Sequence, residues 1–179
     1  MATSTFSGPV VSKNGFINTG PGNVVDADAS ISLTVAAHAG KIVHNDAAGA
    51  VVYALPALNA TADGASSGPS SDIDNLNNMG ATFTIVSSIT KTGDLVVQAA
   101  NANDIMTGSA TIVDTDTSDN MEGFVTASTS DTITLNGSTK GGVTHATITC
   151  TAISSTKWSV SIITGGTGNL ATPFSAAVS

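Results

Sequence analysis

The residues with the clearest chemical potential in this chain are acidic, and they crowd one short stretch. Asp114, Asp116, Asp119 and Glu122 fall within nine residues. Hard cations such as calcium bind six to eight oxygens, often from alternating acidic residues. The stretch does not fit an EF-hand loop, because Asp119 stands where glycine is required and Val125 where a bidentate glutamate belongs. It is interpreted as a solvated acidic hairpin loop, with Asp114, Asp116 and Asp119 as weak metal candidates.

Two other groups of residues could suggest catalysis or metal binding, but each lacks the surroundings that its chemistry requires. Residues 64–68 read Gly-Ala-Ser-Ser-Gly, which fits the G-x-S-x-G pattern of a hydrolase nucleophile elbow. That elbow needs a buried strand before the serine and a helix after it, whereas here polar residues precede the stretch and Pro69 follows it. The three histidines show no zinc-site spacing with one another or with the single cysteine (His38, His44, His145, Cys150). The chain is predicted not to be an enzyme and to use no cofactor.

The composition favours β-structure and disfavours several classes of partner. The chain has 179 residues, 10% of them charged, and a formal net charge of −8. Ile and Val total 29 against 7 Leu, while Glu, Gln and Arg together number two, which is typical of pleated sheets and not of helices. Five scattered lysines do not form the basic cluster that nucleic acid needs. No stretch is apolar enough to span a membrane, and no signal peptide is visible, so synthesis in the cytoplasm is expected.

Short alternating segments predict an all-β fold. Residues 146–152 and 158–162 place apolar side chains on one face, with Tyr53 and Trp158 expected in the core. Polar turns are predicted at 45–49 and 91–94. The spacing is typical of an antiparallel β-sandwich (jelly-roll-like) or a small barrel. The predicted strands cover 31–35, 41–44, 51–55, 82–86, 95–99, 110–113, 124–127, 132–135, 143–153 and 157–163.

The β-sandwich domain is expected at 31–163, with a long polar loop at 57–80, an extended docking arm before the domain and a tail after it. Residues 1–30 form a predicted extended arm, whose apolar side chains are isolated by glycines and cannot bury one another. They either fold back on their own domain or dock in a partner's groove, where aromatic anchors supply much of the binding energy. The tail at 164–179 carries Leu170 and Phe174 for oligomer or tail docking. The docking candidates of the arm are Phe6, Pro9, Val10, Val11, Phe16 and Ile17.

Several segments carry a resemblance to a known group of proteins. The run from Thr3 to Phe16, with its Phe-Ser-Gly-Pro-Val and Asn-Gly-Phe motifs, is similar to the start of small virion structural proteins of tailed bacteriophages, especially marine ones. Residues 80–86 and 127–137, the pair Gly141-Gly142 and the late Lys157-Trp158 resemble the same group. The resemblance implies an all-β particle component that binds a symmetric shell, often as a trimer.

Two functions remain open from the sequence. The first is a capsid decoration (cement) protein on the outer surface of a virion head, bound non-covalently to the major capsid protein and acting as a homo-oligomer. An acidic, arginine-free chain suits an exterior position, since it would repel packaged DNA. The second is a head or tail fibre, or an adhesion module that contacts the host surface. Neither function involves nucleic acid or membrane.

Overall fold

The computed structural model describes residues 23–59, 78–116 and 120–178. In these ranges the chain forms twelve β-strands and one four-residue helix, which confirms the all-β prediction. The strands are β1 (Val24–Asp26), β2 (Ile31–Ser32), β3 (Ile42–Asn45), β4 (Val51–Ala54), β5 (Thr82–Ser87), β6 (Leu95–Gln98), β7 (Ile105–Asp114), β8 (Met121–Val125), β9 (Thr132–Leu135), β10 (Val143–Ser154), β11 (Lys157–Gly166) and β12 (Phe174–Ser175); the helix is α1 (Val35–His38).

The strands divide between two sheets that share one core. A seven-stranded sheet has the order β1-β3-β5-β10-β11-β7-β8, and a five-stranded sheet has the order β12-β9-β6-β4-β2. Buried side chains from both sheets form a single apolar cluster. Each sheet keeps its own edges, so the described strands form a sandwich and not a closed barrel.

The sheets are mixed, whereas an antiparallel sandwich was predicted. Strands β3 and β5 pair in parallel in the larger sheet, and β4 and β6 pair in parallel in the smaller one. The physical reason is that the chain alternates between sheets from β3 to β7. The chain reverses direction each time it passes from one sheet to the other. After two such passages it is back in its first sheet and runs in the same direction as the earlier strand of that sheet.

The core is built from alternate residues of both sheets, as the period-two pattern predicts. In β10 the side chains at 146, 148, 150 and 152 are buried, and in β11 those at 158, 160 and 162 are buried. Tyr53 and Trp158 have no exposed surface, which confirms that they belong to the core. The Trp158 ring packs edge-on against Phe83, with the ring centroids 5.8 Å apart.

Several predicted boundaries differ from the structure. The strand predicted at 110–113 begins five residues earlier as β7, and the one predicted at 124–127 is β8, which ends at Val125. The predicted strand at 31–35 ends at Ser32, because Thr34 caps α1 by accepting a hydrogen bond from the Ala37 N–H at 3.3 Å. The predicted arm reaches residue 30, yet its residues 24–26 pair with β3 inside the larger sheet. Strand β11 continues to Gly166, beyond the predicted start of the tail. Within the described ranges, no helix has the length and apolar character that crossing a membrane requires.

Candidate functional site

Several sequence-predicted site residues lie outside the described residues. They comprise the docking candidates of the arm, the third acidic candidate of the hairpin loop, and the G-x-S-x-G pattern with most of the long polar loop (Phe6, Pro9, Val10, Val11, Phe16, Ile17, Asp119, residues 64–68). The predictions made for them therefore stay predictions.

Asp114 and Asp116 act as hydrogen-bond acceptors for the backbone. The carboxylate of Asp114, which is 8% exposed, accepts the N–H of Asp116 at 3.1 Å. The carboxylate of Asp116 accepts the N–H of Gly168 at 2.9 Å. The first bond is local to the acidic loop and the second joins the loop to the start of the tail, so both residues have a structural role.

A different acidic cluster forms where β1 and β3 end side by side. Carboxylate oxygens of Asp26, Asp28 and Asp46 lie within 4.8 Å of one another, and all three residues are exposed. The backbone N–H of Asp46 lowers the pKa of Asp28, and the hydrogen bond with Asp28 raises the pKa of Asp46. Because all three carboxylates are exposed to water and such acidic groups are common on protein surfaces, the cluster is interpreted as a solvated acidic patch.

Beside this patch, three side chains form a chain with the order of a serine hydrolase triad. The Nδ1 atom of His44 lies 3.2 Å from a carboxylate oxygen of Asp26, and its Nε2 atom lies 2.9 Å from the Ser88 hydroxyl. A working triad buries its carboxylate and places the nucleophile beside donors for an oxyanion. Asp26 is instead 71% exposed. We interpret the chain as a cross-strand polar contact between β1, β3 and the end of β5.

Leu170 and Phe174 dock the tail on its own domain. Both side chains are 8% exposed. Phe174 lies in β12, opposite Ile133 of β9. Leu170 packs so closely on β11 that a Cβ atom at Gly166 would lie 2.7 Å from its Cδ2 atom. Both side chains therefore pack against their own domain, and a role in an oligomer stays a prediction.

The most distinctive surface of the described residues is the outward face of the seven-stranded sheet, here called the outer face. Its centre is made of threonine and serine hydroxyls that the strand register brings into rows. One row runs across all seven strands, and the next row lies beside it, two residues further along each strand. The first row is Val24, Ile42, Thr84, Thr149, Ser161, Ser109, Val125, and the second is Asp26, His44, Val86, Thr147, Ile163, Thr111, Gly123.

Aliphatic side chains surround these hydroxyls. Among the described residues, every large hydrophobic side chain that is substantially exposed belongs to a strand of this sheet. Val125, Met121 and Ile163 are 78%, 69% and 57% exposed. The exposed aliphatic side chains are therefore concentrated on one face of the molecule, with hydroxyl groups between them. The set is Val24, Ile42, Val113, Met121, Val125, Ile153 and Ile163.

The outer face is nearly free of charge although the chain is strongly acidic. Asp26 lies on β1 near the carboxyl end of the parallel strands, and Lys157 begins β11 at the opposite end. Between them the rows hold hydroxyl, aliphatic and histidine side chains. About half of the 50 residues in the seven strands point outward, and at about 4.8 Å by about 6.7 Å each they give an area on the order of 800 Å². That is close to one partner's share of a standard protein interface.

A shallow pocket of about 230 Å³ lies at the Lys157 end of this face. Its lining combines the side chains of Ile105 and Lys157 with hydroxyl groups of the segment that follows β8. The pocket is smaller than most ligand cavities. The complete lining is Ile105, Met106, Thr107, Thr126, Ala127, Ser128 and Lys157.

The described residues thus form an all-β sandwich with a broad outer face that carries few charges. Comparisons with protein-family models, with curated proteins and with solved structures find no match to this chain. Sequence reasoning missed the outer face, although the alternating Thr-x-Thr stretches at 82–84 and 147–151 were a signal for it.

Proposed function

We propose that this chain is a non-enzymatic capsid decoration protein, which binds the outer surface of a phage head non-covalently and stabilises it as a symmetric oligomer. The observation that carries the proposal is the uncharged aliphatic and hydroxyl face on a protein of net charge −8. If two acidic chains met through other parts of their surfaces, their negative charges would repel each other. Docking through the outer face would remove few charged groups from water. Its occupant in the proposal is the major capsid protein.

The binding energy would come from the aliphatic side chains of the face. Burying one exposed Val or Ile against a partner contributes about 1–2 kcal/mol, and the hydroxyls between them can exchange water for hydrogen bonds to the partner. Contacts of this size bind weakly one by one. A symmetric oligomer on a symmetric shell would engage several sites together and gain by avidity. Bridging neighbouring capsid subunits would then raise the barrier to their separation.

The predicted arm can reach the same partner as the face. The described part of the chain begins at Asn23, and the next residue, Val24, contributes its exposed side chain to the rim of the outer face. Asn23 therefore lies at the edge of that surface. In the proposal, Phe6 and Phe16 anchor in a groove of the capsid protein while the face covers the adjoining surface.

A charge placed at the centre of the outer face tests the proposal. The Ile163→Glu variant should bind purified shells at least about tenfold more weakly, because the carboxylate would lose water on docking. Its matched control is Ala102→Glu, at an exposed turn residue outside the strands of the sheet, which should bind within about twofold of the original chain. Deleting residues 1–20 should weaken shell binding as well.

The outcomes separate the parts of the proposal. A folded Ile163→Glu variant that binds shells normally excludes the outer face as the docking surface. Normal binding after deletion of 1–20 excludes the arm. A purified chain that dimerises through the face, with Ile163→Glu monomeric, would make a second copy the occupant and overturn the assignment to the capsid protein.

The alternative is an adhesion module of a head or tail fibre, and the pocket beside Lys157 favours it. One ammonium surrounded by hydroxyls suits an acidic sugar of a host surface. In that case the isolated protein binds host cells but not shells, and Lys157→Ala lowers cell binding. Shell binding with no binding to cells would exclude this alternative.

A further inference from the structure

Lys91 is buried, although the sequence places it in a polar turn. The side chain and backbone of this residue are only 2% exposed. Its Nζ atom donates hydrogen bonds to the side-chain oxygen of Asn45, at 2.9 Å, and to the backbone carbonyl of Ala47. Asn45 has no exposed surface at all. A fully buried lysine is rare unless a carboxylate pairs with it.

Within the described ranges no carboxylate pairs with Lys91; the ion pair present there joins His44 and Asp26. Both hydrogen-bond partners of the Nζ atom are neutral, and the Asp28 carboxylate, which favours the ammonium form, offsets only part of the cost of burial. Burial lowers the pKa of Lys91, which increases the fraction of free amine. The result is a desolvated nucleophile in contact with a carboxamide.

The geometry points to an intramolecular amide bond between the Nζ atom of Lys91 and the side-chain carbonyl carbon of Asn45. The Nζ atom already contacts the oxygen of that carbonyl at 2.9 Å, and the carbon lies one bond of about 1.2 Å further. The modification would convert a buried amine into a neutral secondary amide and remove a charge that is only partly compensated. The inference is independent of what the protein binds.

The reaction balances without a cofactor or an oxidant. Lys91 first releases one proton to solvent, and the free amine attacks the side-chain carbon of Asn45. The new C–N bond forms, the bond from that carbon to Nδ2 breaks, and a proton from Nζ leaves with Nδ2 as ammonia. Solvent returns the first proton to give ammonium. The net change is the loss of one ammonia from the chain.

Tyr53 is placed to relay the proton. Its side chain hydrogen-bonds with Asn45 and donates to the carbonyl of Ala27, which also accepts from the Nδ2 of Asn45 at 3.2 Å. Burial raises the pKa of Tyr53 to about 12, so the hydroxyl is protonated. It can pass a proton to the departing nitrogen and recover one from Nζ.

Two glycines hold Lys91 against Asn45. A Cβ atom at Gly137 would lie 1.8 Å from the Lys91 carbonyl oxygen, and one at Gly142 would lie 3.2 Å from the Lys91 Cγ atom. Gly142 also accepts the Lys91 N–H at 2.9 Å. This close approach lets the stem of Lys91 lie between the turn that follows β9 and the end of β3. The amide bond would thus join the larger sheet to the segment that leads into β6.

Intact mass measured under denaturing conditions tests the inference. The folded chain should be lighter than its sequence by about 17 Da, the mass of one ammonia. Lys91→Met should have its full sequence mass, and Tyr53→Phe should lose the ammonia more slowly, by about tenfold. The matched control Lys140→Met should still show the loss. A folded original chain, with buried Trp158 fluorescence, at full sequence mass would overturn the inference.

A tryptic digest of the denatured original chain keeps the test decisive if Lys91→Met does not fold. Trypsin cleaves after a free lysine, so a modified Lys91 leaves residues 42–140 as one peptide, lighter by about 17 Da, while cleavage after Lys41 and Lys140 proceeds. Separate peptides 42–91 and 92–140 of full mass would exclude the bond. A mass loss located at another asparagine would exclude it equally.

Discussion

Gly108 offers the sharpest test of how the seven-stranded sheet is assembled. It lies in β7 opposite Val160 of β11, and these two strands pair in parallel. Its φ angle is +153°, which L side chains rarely adopt, and a Cβ atom there would lie 1.8 Å from the Val160 carbonyl oxygen. Because that oxygen belongs to the backbone, no side-chain rotation can relieve the contact.

The expected cost of Gly108→Ala follows from these two features. The unfavourable φ angle costs about 1–3 kcal/mol, and moving β11 away weakens ladder hydrogen bonds that contribute about 1 kcal/mol each. We expect the free energy of unfolding to fall by about 3–5 kcal/mol, a large share of the 5–15 kcal/mol typical of domains. In a chain of this size that corresponds to a drop in Tm of roughly 10 °C.

The measurement is urea unfolding followed by the fluorescence of Trp158, which is the single tryptophan and is fully buried. The matched control is Gly123→Ala in the adjacent edge strand β8, where a Cβ atom would meet nothing within 4 Å. That variant should stay within about 0.5 kcal/mol of the original chain. If Gly108→Ala is equally mild, the close approach of β7 and β11 is wrong.

Three further predictions concern single side chains. Burial raises the pKa of Asp104 above its usual 3.8, so the original chain should lose stability as the pH rises from 3.8 through the pKa of the folded state. Urea unfolding should therefore show that the free energy of unfolding of Asp104→Asn increases relative to that of the original chain between pH 3.8 and neutrality. A difference between the two free energies that does not change with pH would contradict this. Phe174→Ala should cost about 3–4 kcal/mol and expose the tail to proteolysis, whereas Val125→Ala, at an exposed position, should do neither; an intact tail in both would refute tail docking. Ser88 should remain unlabelled by a fluorophosphonate probe, because Asp26 is too exposed to orient His44 as a base; rapid labelling that His44→Ala abolishes would establish a hydrolase site.

Local alternation predicted the inward faces well, because a strand buried on one side repeats every two residues. Residues 146–152 and 158–162 show this, and their inward side chains are buried. The direction of pairing was not available from the same pattern. A turn such as the one at residues 46–50 says that the chain reverses, but it does not say that β3 and β4 pair. Strands β3 and β4 lie in different sheets. Which strands pair is decided by contacts between residues far apart in the sequence.

The buried state of Lys91 was equally beyond local reasoning. The residue precedes Thr92, Gly93 and Asp94, and a polar tetrapeptide of this kind predicts an exposed turn. Its burial depends on partners distant in sequence, since Asn45 lies 46 positions before it and the two glycines over it follow β9. The outer face was hidden for a similar reason. Alternating threonines indicate a strand, but only the pairing of seven strands turns them into one surface.

The proposed amide bond and the outer face would have separate roles: the bond would stabilise the fold, and the face would bind a partner. Closing a loop of 46 residues would stabilise the fold by about 4 kcal/mol through the unfolded chain, if the bond acts as a disulfide does. This stabilisation would matter in a sandwich whose core has few aromatic residues, because several of its aliphatic side chains are exposed on the outer face and contribute little to the core. Because Asn45 and Lys91 lie within the sandwich, their loss would lower stability and leave the hydroxyl rows in place. Shell binding by folded Lys91→Met, together with its loss in Ile163→Glu, would therefore separate the proposed bond, which would stabilise the fold, from the proposed docking surface.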